Sequence, residues 1–545
     1  MTNEEQLIRA AKYGQLEVVK ALIPVSDPKA EDSEALICAA AKGYKEIVEI
    51  LLPVSDPKAN DSQALRNAAE SGYKEIVEML ISVSDPKANN SQALRHAAKW
   101  NRKEIFELLL PVSDPTANNS QALRDAAING NKQMVELLIP ASNPKANDSQ
   151  ALQDAAMNGH KEIFKMLFPV SDPEADESLA LRLAASGGWQ EIVEMLIPVS
   201  DPKSNDSEAL RGAAENGHTE IVEMLLSLSD PKANNSQALR HAAQNGHLKI
   251  VEILIPVSDP KALDSEALRS AAENGHMKIV EILIPMSDAK VGHPDALKFP
   301  VHYCSIDIKA RNSEALRAAA QNGHAEIVEM LIPVSETISN DSIALRVAAS
   351  NGHKKIVEML IPISDPRVNG SDALGWAAFN GHLEVVELLI PFSDPMADHS
   401  DALHGAAENG HIEVAKMLLP VSDPKAYESQ ALRHAAENGH IEIVKMLIPF
   451  SDPKANDSQA LRDAAENEDM EMIQMLIPVS DVEAACEQLD ESEISLVKAM
   501  EADLRMKELQ ASTVQIPQSF KGCVDQARSD SQGTATVQRA QARRL

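Results

Sequence analysis

Aromatic residues, cysteine and positive charge are all scarce in this chain, and each shortage excludes something. Trp, Tyr and Phe supply 3% of the 545 residues, while apolar residues as a whole supply 44%. The apolar material is therefore mostly Ala, Leu, Ile, Val and Met, which suits thin helical layers better than a sandwich or barrel. The four cysteines, Cys38, Cys304, Cys486 and Cys523, lie far apart with no paired spacing. That excludes a disulfide framework and predicts free thiols in a reducing, cytoplasmic setting. Lys and Arg number 51 against 82 Asp and Glu, a formal net charge of −31. Such a surface repels phosphate backbones and anionic lipids, so nucleic acid and membrane are excluded as expected partners and a basic protein segment is favoured. No stretch approaches the 18 or so uninterrupted apolar residues of a membrane span. The opening Met-Thr-Asn-Glu-Glu-Gln has neither the basic start nor the apolar run of a signal peptide.

What the chain has in abundance is one phrase. Ala-Leu-Arg-x-Ala-Ala, or a near variant, recurs with its leucine every 29 residues from Leu7 to Leu268, ten times. After a step of 48 residues it resumes at Leu316 and runs to Leu461, six times more. Leu297 stands where the missing leucine belongs, and Asp295-Ala296-Leu297-Lys298 opens like a repeat before Phe299-Pro300-Val301-His302-Tyr303-Cys304 replaces the rest. Residues 287–305 read as a collapsed repeat. The predicted organisation is repeats one to ten over 1–286, the interruption at 287–305, repeats eleven to sixteen over 306–481, a capping helix over 482–508, and a disordered basic tail over 509–545.

The unit at 55–83 shows the physics. Leu65 and Ala69 share one side of a helix predicted over 62–71, flanked by Ala64 and Ala68. Asn60 or Asp61 is placed to cap it, with Gln63 in capping-box position. Gly72 supplies a left-handed stop. A second helix over 74–81 turns Ile76, Val77, Leu80 and Ile81 inward and Glu75 and Glu78 outward. Asp56-Pro57 begins a tight turn. Neither helix hides its stripe alone, so neighbouring units must stack. The expected class is all-α, a helix-turn-helix repeat solenoid.

Two strings carry a family resemblance. Leu65-Arg66-Asn67-Ala68 fills the L-H-x-A part of the T-P-L-H-x-A motif of ankyrin repeats, and Asn409-Gly410-His411-Ile412-Glu413-Val414 is similar to the string opening that family's second helix. The period of 29 falls short of the family's roughly 33, and the missing residues come from the loop where the family carries a β-hairpin finger. The resemblance implies a fingerless variant that recognises proteins through one solenoid face.

Candidate contacts come from comparing the units with one another. The positions two and five after each repeat leucine vary most, and both lie well round the helix from the leucine, which predicts exposure. Trp376 and Phe379 hold these two slots in one unit, with Val347 in the unit before. Ile128, Met157 and Leu183 fall in three successive units, and His96, Lys99 and Trp100 form a third group. Aromatic side chains on an exposed face make interaction hot spots. Trp189 stands where other units carry a turn histidine and reads as packing.

Catalysis is not expected. The turn histidines, such as His160, His218 and His440, belong to units about 9–10 Å apart, too far for shared ligation at about 2.1 Å. No phosphate-binding loop appears, and paired glutamates such as Glu75 and Glu78 read as solvated faces. The chain therefore reads as a non-enzymatic scaffold for a protein partner, with no cofactor, metal or small-molecule substrate. The alternative is a translocated effector or targeting adaptor, in which 509–545 is an address and the solenoid binds a host protein.

Overall fold

A computed structural model describes residues 2–287, 314–335 and 342–514. The chain divides into two compact units, Met1–Lys298 and Phe299–Leu545. The predicted collapsed repeat lies outside the described residues apart from its first position.

The first unit is a series of helix pairs from Asn3–Lys12 with Leu16–Leu22 to Ala262–Glu273 with Met277–Ser287. The first helix of each pair (helix A) packs on the helix A of the next, and each helix B on the next helix B. The second unit repeats the pattern from a helix at 314–321 with Ala325–Leu331 to Ala455–Glu466 with Met470–Leu476. It ends in Val482–Cys486 and Glu491–Val514, and the latter packs on Met470–Leu476 with Val497 buried. This last helix runs through 514, six residues into the stretch read as tail; residues 515–545 lie outside the described residues. Among the described residues there is no strand.

The core of one pair follows the expected stripe. Leu65, Ala68 and Ala69 from helix A and Ile76, Val77 and Leu80 from helix B are buried. Alanines at the helix A contact let the backbones approach, and the branched side chains of helix B fill the second layer. Helix A stops at Gly72, whose φ of 90° is left-handed.

The start of helix A differs from the expectation. Asn60, Asp61 and Ser62 do not cap it; all three are left-handed, with φ of 48°, 56° and 57°. Ser62 N–H still closes a bond to the Lys58 carbonyl at 3.1 Å, so the segment is one left-handed turn joined to a right-handed helix. Asn60 directs its side-chain amide at the Gln63 side chain. The Asn60 carbonyl accepts from Arg66 Nη2 at 2.8 Å. Left-handed backbone costs an L-residue about 1–2 kcal/mol, least for Asn and Asp, which explains the Asn-Asp and Asn-Asn pairs at this point of many units.

An inter-repeat bond offsets that cost. Ser62 is buried, and its Oγ accepts the Asp85 N–H of the next unit at 2.8 Å. Ser84 Oγ in turn donates to the Pro57 carbonyl at 3.0 Å. The serine-to-amide bond recurs from Ser33 with Asp56 to Ser458 with Asp481. Between these rungs Asp56 Oδ1 accepts from Lys58 N–H at 2.9 Å, the tight turn expected of Asp-Pro.

Candidate interaction face

A second ladder fixes the helix A–B turn. His218 Nε2 donates to the Ser186 carbonyl of the preceding unit at 3.1 Å, and His160 does the same to the Ile128 carbonyl at 3.0 Å. Trp189 fills the same role with its indole N–H on the Met157 carbonyl at 3.0 Å. Its ring lies so close over Gly159 that a Cβ there would fall 2.4 Å from it. These turn residues are therefore the stitching between units.

The two variable slots do not behave alike. The fifth slot is mostly exposed, but at the second slot only Arg9 and Trp376 are exposed among the described residues. Val347, Leu183 and His96 are half-buried there, contrary to the expectation of full exposure, and Asp154 is 7% exposed. The reason is a cross-repeat pairing at a separation of 26 residues. The second slot of one unit leans on the fifth slot of the unit before, as His241 Nδ1 does on Glu215 Oε2 at 3.1 Å and His96 Nδ1 on Glu70 Oε2 at 3.3 Å. Rotation from the leucine places a residue on one helix; the next helix then covers it.

Burial outweighs the nearby arginines and shifts the acids in this slot. Burial, with Asp125 adding repulsion, raises the Asp154 carboxyl to about 6. Burial together with Glu437 and Glu466 does the same for Asp463, also to about 6. Burial lowers His96 and, with His404 beside it, His434.

The three candidate groups have different surroundings. Lys99 Nζ sits 5.1 Å from the Trp100 ring centroid, so that face already carries a cation from its own chain. Ile128 and Met157 are exposed, Leu183 half-buried, and the backbone carbonyls of the first two are taken by the turn ladder. Trp376 and Phe379 are exposed with ring centroids 5.6 Å apart in an edge-on arrangement, while Val347 is half-buried in the preceding unit.

The Trp376 group opens onto a cavity of the interaction face. Its volume is about 280 Å³, and its other walls are Asp372, Gly375, Asp401, His404, Gly405 and Glu408. The cavity has a cause in the sequence. The position directly after the repeat leucine is arginine in eleven of the sixteen units, but Gly375 and His404 replace it in two successive ones. In many of the units that keep it, this arginine bridges to the next unit, as Arg346 does to Asp372 at 3.0 Å and Arg433 to Gln459 at 2.5 Å. At Gly375 the bridge is gone, leaving open space and Asp401 without an arginine from the preceding unit. Gly405 widens the gap, because a Cβ there would stand 3.2 Å from Phe379 Cβ. These two departures from the repeat were readable in the sequence, but their meaning required knowing that the arginine reaches 26 residues forward.

The cavity edge also holds two histidines in contact. His404 Nε2 lies 2.7 Å from His434 Nδ1 and 3.5 Å from Glu408 Oε2, and His404 Nδ1 lies 3.5 Å from Asp401 Oδ1.

Compared with known proteins, the chain matches a family model described as "Ankyrin repeats (3 copies)" over residues 7–92, 66–148, 94–177, 152–235, 210–295, 286–369, 345–428 and 403–486. No curated protein matches it.

Proposed function

Given that this chain belongs to the ankyrin repeat family, whose repeats are protein–protein interaction modules, we propose that it is a non-enzymatic scaffold that seats a basic side chain of a partner protein against Trp376 and Phe379. The missing arginine at Gly375 is the observation that carries this reading. The repeat ordinarily fills this place with its own guanidinium, and here it offers instead two aromatic rings with Asp401 and Glu408 beside them. A partner Arg or Lys entering the space restores the charge pattern of the ladder. Contact with the Trp376 face adds about 0.5–2 kcal/mol of cation–π attraction. Paired aromatics in a partly desolvated recess are also the usual centre of an interface hot spot. The net charge of −31 favours a basic partner surface and speeds its approach at low salt.

Selection of random peptides displayed on phage against the full chain tests this. The selected sequences should share an Arg or Lys, and the enrichment should vanish against the Trp376→Ala, Phe379→Ala double variant. Acidic or purely apolar selected peptides, or undiminished selection by the variant, would refute it.

A further inference from the structure

The contact between His404 and His434 departs from the pattern of the turn histidines. The turn histidines of successive units are held apart by their carbonyl bonds, as with His411 on Phe379 and His440 on Glu408. His404 instead occupies an arginine position and His434 the second slot of the next unit, and the two rings meet at a centroid distance of 4.6 Å. A reach across the stacking distance, impossible for the turn histidines, is thus achieved by two side chains that lean toward each other.

We propose that His404 Nε2, His434 Nδ1 and Glu408 Oε2 bind a divalent transition ion of the zinc class. The three donor atoms all lie within 4.8 Å of one another, and no other such triad occurs among the described residues. A tetrahedral zinc ion with arms of about 2.0–2.1 Å needs donors about 3.3 Å apart. Two of the separations, 2.7 Å between the imidazole nitrogens and 3.5 Å from His404 to Glu408, bracket that value. Small side-chain rotations suffice to admit the ion. Two imidazoles and a carboxylate suit zinc better than calcium or magnesium, which prefer oxygen donors. On the far side of the His404 ring, Asp401 stands 3.5 Å from Nδ1, where a carboxylate fixes the tautomer that presents Nε2 to a metal. His404 and Glu408 also line the cavity, from which a further donor can approach. Three protein ligands with one open position are also the arrangement that lets a further donor, water or a partner side chain, complete the shell.

The site shares Glu408 and Asp401 with the peptide reading, but the two are tested apart, because the metal site is probed with the metal alone. After treatment with a chelator, the full chain is titrated with Zn²⁺ by calorimetry and with Co²⁺ by visible absorption. One ion per chain is expected, with the intense absorption of tetrahedral Co²⁺. His404→Arg and His434→Ala should each abolish that ion. Both variants keep residues the repeat already tolerates, since arginine is usual at the first position and Ala318 fills the second slot elsewhere. Glu408→Gln should weaken binding by about tenfold or more. No binding by the wild type, or a one-to-one stoichiometry that survives His404→Arg and His434→Ala, overturns the proposal.

Discussion

Replacing Asp154 with alanine should stabilise the first unit, and the gain should depend on pH in a way that identifies its cause. Asp154 sits in the second slot at 7% exposure, its Oδ2 is buried with no hydrogen-bond partner in the protein, and its carboxyl is raised to about 6. In the unfolded chain an aspartate titrates near 3.9. The difference of about two units corresponds to about 3 kcal/mol of destabilisation when the group is ionised in the folded state. The sign follows from the direction of the shift. The folded state binds the proton more tightly, so this contribution to stability is fully present below pH ~4 and is lost as pH rises through ~6. Alanine removes the ionisable group, and Ala318 shows that the slot accepts a methyl. Alanine also adds about 0.5 kcal/mol of helix propensity. At pH 7.5 the variant should gain about 2–3 kcal/mol. At pH 4.5 about two-thirds of the electrostatic part should be gone. Because a solenoid can open repeat by repeat, the assay is hydrogen exchange of the amides in Ala146–Met157, run on wild type and variant at both pH values. A gain of the same size at both pH values would refute the electrostatic account. A loss at pH 7.5 would mean that the carboxylate is satisfied after all.

Ser178→Ala should cost about 1–3 kcal/mol, because it leaves the Asp201 N–H, now 3.0 Å from Ser178 Oγ, without its partner. Exchange of the Asp201 amide reads this directly, and a change below about 0.5 kcal/mol would show that the ladder contributes little. Gly375→Arg should restore the repeat arginine opposite Asp401, raise stability by about 1 kcal/mol through helix propensity, and abolish peptide selection by filling the cavity. Urea unfolding and the phage assay check the two halves. The new Cβ would meet only the Asp401 Oδ2 carboxylate oxygen, at 3.3 Å, and that flexible side chain must shift slightly to admit it.

The period, the paired helices and the glycine stop were legible because they rest on local periodicity. Leu65, Ala69, Ile76 and Leu80 repeat their spacing in every unit, and the solenoid follows from their need for cover. The left-handed turn at Asn60, Asp61 and Ser62 was not legible, because Asn, Asp and Ser before a helix read equally well as a cap. What decides between the two is the buried bond from Ser62 to Asp85, a contact 23 residues away. The second slot failed for a related reason: its rotation about helix A says nothing about the next helix A, which half-covers Val347, Leu183 and His96. The choice of Trp376 and Phe379 over the other groups likewise depended on Gly375, whose significance is visible only where the arginine reaches forward.

The serine rungs join one unit to the next through backbone amides and carbonyls, and the turn histidines do so through another carbonyl. Cohesion is thus written largely in backbone atoms that every residue possesses, even where the acceptor is the carbonyl of a variable-slot residue such as Phe379. A mutation at position 376 or 379 changes what the surface reads without loosening what holds it up. Duplicating a unit copies the adhesive with it, while leaving the new copy's outward letters free to drift toward a different ligand.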